Sequence, residues 1–140
     1  MKKSPAKIFL ALAVALTLLW FSANFSYGAH LDGAAYRMYA SYGNDVLLPF
    51  GLYFGLCALD NFIPMLRSWK RKVTLAFVIP FALEWMQPLW QRGIGLDVSS
   101  ADHLGLGTAF DPLDFLAYAL GVFGAALTER KIFARLPFWS

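Results

Sequence analysis

Acidic side chains inside or at the ends of long apolar segments are the residues of this chain best suited to chemistry. Asp111 and Asp114 stand at the start of one uncharged run, Glu84 lies inside another, and Asp45 begins a third. A charge in hydrocarbon costs roughly 2.5–3.5 kcal/mol on insertion scales. Such groups persist only where they are paired, solvated or functional, so they mark a candidate site.

The composition indicates a membrane protein. The chain has 140 residues, of which 59% are hydrophobic and 15% charged, and its mean hydropathy is +0.52. A soluble domain is usually nearer a quarter charged. The basic residues lie between apolar segments rather than along one face, which argues against nucleic-acid binding. The single cysteine, Cys57, excludes a disulfide framework and a cysteine-based metal site.

Four segments are apolar enough to be membrane-spanning helices, at about residues 8–27, 45–64, 73–91 and 112–128. We therefore predict an all-α fold, a polytopic membrane helical bundle of four transmembrane helices forming a single domain, 1–140. Ten of the 12 Lys and Arg residues precede span one, separate spans two and three, or follow span four. The positive-inside rule then places both termini in the cytoplasm and the protein in the cell membrane as a multi-pass protein.

The first span also has features of a secretory signal peptide. Three lysines precede an uncharged stretch, and Ser26-Tyr27-Gly28 resembles a weak cleavage site. Cleavage would leave three spans in the same orientation, because a removed signal also delivers its downstream end outside. We favour retention of the segment.

The orientation brings the polar groups of three spans to the outer half of the membrane. Spans two and four enter from outside at Asp45 and Asp111, and span three approaches the outside beyond Glu84. Glu84 and Gln87 share one helical face. We therefore predict one outward-facing polar pocket, formed by Asp45, Glu84, Gln87, Arg92, Asp111 and Asp114.

Small residues mark the helix faces that should pack together. Gly51 and Gly55 form a G-x-x-x-G arrangement in span two, and such residues let a neighbouring backbone approach closely. Span four carries a similar stripe, which directs its acid towards the bundle rather than towards lipid. The stripe consists of Asp114, Tyr118, Gly121 and Ala125.

Helix capping is the alternative explanation for several of these acids. Asp111-Pro112-x-Asp114 is a helix-start signal, with an acidic cap and proline at the first helical position. Asn44-Asp45 could equally cap span two. Glu84 has no cap role, because it lies a turn or more from either end of its span, and it needs a polar partner from another span. Asp60 should pair with the cytoplasmic bases and is excluded from the pocket.

Three short motifs resemble the VanZ-like group of small bacterial membrane proteins, particularly its branch known only as a domain of unknown function. They are Tyr42-Gly43-Asn44-Asp45, Glu84-x-x-Gln87, and the segment Leu106–Gly121 around the paired aspartates. The resemblance covers about residues 40–130. In that group a Gly-Asp often begins the second span directly, whereas Asn44 intervenes here. The resemblance implies the topology, the choice of polar residues and a bacterial cell envelope, but no established chemistry.

The sequence leaves three functions open. The pocket could recognise a polar lipid headgroup or a cell-wall precursor, with Arg92 attracting an anion and carboxylates orienting amines or hydroxyls. The carboxylates could instead hold Mg²⁺ or supply a general base in an intramembrane enzyme, although no His-Glu metal motif, nucleophile elbow or Walker-type loop is present. A small transporter or assembly subunit is the third, and it would need to oligomerise. We expect lipid as a partner, no nucleic acid and no dedicated metal site; the cofactor stays unassigned.

Overall fold

A computed structural model describes residues 4–28, 34–94 and 112–139, with side chains placed at 4–24, 42–83, 86 and 113–139. The described residues form helices and turns and contain no strand, so the predicted all-α fold class is confirmed. The elements are α1 (Pro5–Gly28), α2 (Ala34–Leu59), α3 (Trp69–Ile94) and α4 (Pro112–Lys131), with 3₁₀ turns at Pro64–Arg67 and Phe133–Arg135.

Helix α1 lies antiparallel along α2. A Cβ atom added at Gly51 would lie 3.3 Å from the carbonyl oxygen of Ala15, so glycine allows the two backbones to come close. Gly55 has nothing within 4 Å, and only the first glycine of the predicted motif therefore has a packing role. The first turn of α1 and the residue after α2 are joined by an ion pair between Lys7 and Asp60.

The small-residue stripe of α4 packs against α2, as predicted. The carbonyl oxygen of Val46 occupies the space that a side chain at Gly121 would need. Tyr118 and Ala125, on the same face, are buried. Because Val46 meets Gly121 while Tyr53 of α2 reaches Glu129 further along α4, these two helices run parallel.

Helix α3 runs antiparallel to α4 and contacts it through aromatic rings. The ring of Phe115 lies 5.4 Å from that of Phe77 and 5.1 Å from that of Phe81, centroid to centroid. An ion pair between Lys72 and Glu129 joins the other end of the same two helices.

Two helices begin clearly before their predicted spans. Helix α2 begins at Ala34 rather than Asp45 and ends at Leu59, and α3 begins at Trp69 rather than Val73. Asp45 therefore lies about 17 Å along α2. The capping interpretation of Asn44-Asp45 is wrong, because both residues lie inside the helix. Helix α4 begins at Pro112, which confirms proline at the first helical position.

The described helices expose many large apolar side chains and bury several polar ones, although a core around Tyr53, Phe54 and Val122 is also buried. On α4, five large apolar side chains are each at least 53% exposed: Leu113, Leu116, Leu120, Phe123 and Leu127. On α1, Phe9, Leu16 and Trp20 are exposed, whereas Ala11 and Ala15 are buried. By length and composition one described helix, over Pro5–Asn24, could cross a membrane, a test that signal sequences and core helices of soluble proteins also pass.

Candidate functional site

The structure places two of the six predicted pocket side chains. Asp45 is 7% exposed and Asp114 is half-buried. The side chains of three residues on α3, and the whole of the residue just before α4, lie outside the described part of the chain: Glu84, Gln87, Arg92 and Asp111.

The backbones of α3 and α4 place Glu84 and Asp114 at a similar level. Glu84 follows Phe81 by one helical turn on α3, and the ring of Phe81 contacts Phe115, the neighbour of Asp114. The antiparallel pairing of α3 and α4 is therefore consistent with the prediction that Glu84 and Asp114 lie at the same end of the bundle.

Asp45 lies deeper in the bundle than the predicted pocket mouth. Its neighbour Val46 packs against Gly121, which is about 10 Å along α4 from Asp114. Asp45 and Asp114, the two described acids of the predicted pocket, consequently lie at different depths along the bundle.

Asp45 is buried on α2 next in sequence to Asn44, which forms a polar contact with α1. Asn44 beside it is 8% exposed and Ser22 on α1 is 4% exposed. The Ser22 hydroxyl donates a hydrogen bond to the amide oxygen of Asn44. This contact places a hydroxyl and an amide in the interface between α1 and α2.

A second polar cluster lies at the opposite end of the bundle, and we call it the ionic clasp. It consists of Lys7, Asp60, Lys72 and Glu129, so each of the four long helices contributes one residue from its end or from the position just after it. Each side chain is at most 10% exposed. The two lysines and two acids balance in charge.

Lys72 is the centre of the clasp. Its Nζ lies 2.5 Å from Oε1 of Glu129, 3.3 Å from Oδ2 of Asp60 and 3.3 Å from Sγ of Cys57. An ammonium has three N–H donors, and three acceptors surround this one. Lys7 approaches the other side of Asp60, with Nζ 2.9 Å from Oδ1.

Glu129 also accepts two neutral hydrogen bonds. The Tyr53 hydroxyl donates to Oε2, and the Trp139 indole nitrogen donates to Oε1 at 3.3 Å. Trp139 is 3% exposed and its ring packs 4.6 Å from that of Phe133, centroid to centroid. The segment after α4 thus folds back over the clasp and excludes water from it.

The clasp fixes the charge of its two central groups, which lie just outside the predicted spans. Burial alone would raise the pKa of Glu129, but the charge and hydrogen bond of Lys72 outweigh burial and lower it. Burial likewise disfavours the Lys72 ammonium, yet its pKa is raised because the Cys57 sulfur, Glu129 and Asp60 favour the charged form. Both groups are therefore ionised at neutral pH.

The contacts of the clasp hold the four helices together at one end of the bundle. Every buried side-chain nitrogen or oxygen among the described residues has a hydrogen-bond partner. A buried polar network whose members are satisfied in this way makes the packing more rigid. The predicted pairing of Asp60 with nearby bases is confirmed.

Sequence reasoning missed most of this cluster. Lys7 and Lys72 served only as topology signals, and Glu129, Tyr53 and Trp139 were not singled out. One signal was present: Asp60 and Glu129 each stand among bases at the same predicted end of an apolar segment, and charges of opposite sign at one membrane level can pair between helices.

No group of three or more His, Cys, Asp or Glu side chains suited to a metal ion occurs in the part of the chain that the structure describes. No family model, no curated protein and no solved structure matches this chain.

Proposed function

We propose that this chain is a four-span protein of the bacterial cytoplasmic membrane that recognises a polar headgroup in a pocket in its outer half. The reversed distribution of side chains supports the membrane assignment. Leu120 and Phe123 of α4 point away from the bundle, while Asp45, Lys72 and Glu129 are buried inside it. A soluble helix bundle places its large apolar side chains inside, whereas lipid is a suitable solvent for this surface.

The packing of α1 supports its retention as the first span. Lys7 near its start is buried and paired with Asp60, and Ser22 near its end bonds to Asn44. Removal of α1 would expose both polar partners on α2 and the close contact at Gly51. A cleaved signal peptide needs no such fit to the mature chain.

The clasp supports the proposed orientation. It joins the start of α1, the α2–α3 connection and the end of α4, the three regions in which the basic residues concentrate. One end of the bundle therefore carries these segments together. The positive-inside rule then assigns this end to the cytoplasm and the Asp45 end to the outside.

The burial of Asp45 carries the headgroup proposal. It is 7% exposed and lies about 12 Å along α2 from Tyr53, which donates a hydrogen bond to Glu129 of the clasp. The pocket residues include four acids and one base, Arg92. An acid-rich site at this depth suits the amine of a lipid headgroup or cell-wall precursor that enters from the outer leaflet.

The headgroup proposal can be tested with the full chain in nanodiscs. The probe is phosphatidylethanolamine, which carries an amine, in discs of phosphatidylcholine. We expect the ethanolamine lipid to raise the thermal unfolding temperature of the parent protein and of the control Asp97→Asn, and to have little effect on Asp45→Asn. An equal shift in all three proteins would refute amine recognition at Asp45.

Topology has a separate test in cells. With Cys57 replaced by alanine, a membrane-impermeant maleimide should label Ser99→Cys from outside and Ser68→Cys only after permeabilisation. The reverse pattern would overturn the orientation. The mass of a C-terminally tagged chain should include residues 1–28, and a shortfall near that segment would show that α1 is removed.

A further inference from the structure

The clasp end of the bundle presents an exposed basic surface, which we call the basic rim. It comprises six exposed side chains from the α2–α3 connection, the start of α3 and the end of α4: Arg67, Lys70, Arg71, Arg130, Lys131 and Arg135. The guanidinium of Arg130 lies 5.2 Å from the ring centroid of Trp69. This contact joins the α4 part of the rim to the α3 part.

The charge of the basic rim is not offset by an exposed acid within the described side chains. Four acids have described side chains, and none of them is exposed. The two at this end, Asp60 and Glu129, are turned inward and paired with Lys7 and Lys72. The clasp therefore removes the acids from the surface and leaves the rim with a uniform positive charge.

Apolar side chains lie among the rim bases. Met65 and Ile132 are 58% and 61% exposed, and Phe62 and Ile63 beside them are exposed too. Trp69, at 36% exposure, stacks with Arg130 at the same level. Aromatic and basic residues together are typical of the membrane interface, where the apolar parts reach the acyl chains and the charges reach the headgroups.

We propose that the basic rim docks anionic phospholipid headgroups of the cytoplasmic leaflet. This inference rests on the proposed membrane insertion and orientation. A soluble polyanion would use the bases but leave the interleaved apolar side chains in water, whereas an anionic lipid satisfies both. The attraction acts within a Debye length, about 10 Å at 0.1 M salt, and weakens as salt is added.

The test compares nanodiscs of phosphatidylcholine with and without phosphatidylglycerol. Phosphatidylglycerol should raise the thermal unfolding temperature of the parent protein, and added salt should reduce the rise. The variant Lys70→Gln/Lys131→Gln/Arg135→Gln should lose most of the rise. The matched control Lys70→Arg/Lys131→Arg/Arg135→Lys keeps every charge and should retain it.

Three results would overturn the inference. They are equal stability in the two kinds of disc, an undiminished rise in the glutamine variant, or an equal rise produced by inorganic phosphate in phosphatidylcholine discs. Failure to enter either kind of disc would instead refute the membrane proposal on which the inference rests.

A second measurement does not depend on the folding of variants. Native mass spectrometry of the parent protein released from mixed-lipid discs should show phosphatidylglycerol enriched over its bulk fraction by at least about fivefold, the factor expected for one engaged base. Retention in the bulk proportion would also overturn the inference.

Discussion

Replacing Lys72 by methionine should lower the free energy of unfolding by about 3–5 kcal/mol. The side chain is 2% exposed and its Nζ contacts both Glu129 and Asp60. Methionine preserves much of the apolar volume but leaves the two carboxylates buried without the cation between them. Removing one partner of a buried ion pair costs this much because the remaining charge is uncompensated.

The two carboxylates should contribute unequally to this loss of stability. Asp60 keeps Lys7 at 2.9 Å, whereas Glu129 keeps only neutral donors, Tyr53 and Trp139, among the contacts described here. Most of the loss therefore belongs to Glu129. Adding Glu129→Gln to Lys72→Met removes the stranded charge, and the amide oxygen can still accept from Tyr53. The double variant should recover at least half of the loss.

The assay is reversible unfolding in mixed micelles, in which the fraction of denaturing detergent is increased and tryptophan fluorescence is followed. The four proteins of the double-mutant cycle give the coupling between Lys72 and Glu129, which should exceed about 1 kcal/mol. A Lys72→Met protein within about 1 kcal/mol of the parent would refute the reasoning. A double variant that loses as much as the two single variants combined would refute it as well.

Three further predictions follow from the same contacts. Gly121→Ala should cost about 1–3 kcal/mol by forcing apart α2 and α4, whereas Gly55→Ala, with open space around it, should be nearly neutral in the same unfolding assay. Trp139→Phe keeps an aromatic ring but removes a hydrogen bond to a charged acceptor, and should cost about 1.5–3 kcal/mol in that assay. The lowered pKa of Glu129 stabilises the fold above the usual carboxyl pKa, and this contribution is lost as the pH falls through the folded-state pKa of Glu129. The raised pKa of Lys72 stabilises the fold below the usual lysine pKa, and this contribution is lost as the pH rises through the folded-state pKa of Lys72. The free energy of unfolding measured against pH should therefore be flat from about pH 6 to 9 and fall on both sides.

Helix packing faces could be predicted from the sequence because they depend on local spacing. The stripe of Gly121 and Ala125 appears at helical periodicity in the printed sequence, and the structure buries it.

The start of α2 could not be predicted from hydropathy. Residues 34–44 contain Arg37, Asn44 and several tyrosines, which lower the hydropathy without preventing a helix. Hydropathy indicates which part of a helix can lie in hydrocarbon, and the helix itself can continue beyond that part.

The ionic clasp could not be predicted from local spacing, because its members come from distant parts of the chain. Lys7 and Asp60 are separated by 53 positions and Lys72 and Glu129 by 57, and no helical periodicity connects them. Each charged member resembles an ordinary topology signal or an interfacial charge when read alone. The antiparallel alignment of α1 and α2, the parallel alignment of α2 and α4, and the antiparallel alignment of α3 and α4 bring them together.

The contrast between the two polar levels gives a reason to place function at the outer one. The clasp contains equal numbers of lysines and acids, so its burial needs no further ion. The predicted outer pocket contains four acids for one base, Arg92, and Asp45 is the buried acid among its described side chains. An excess of carboxylates favours a cationic ligand over an anionic one. A headgroup amine carries that charge, which is why Asp45→Asn is the variant that best tests the proposal.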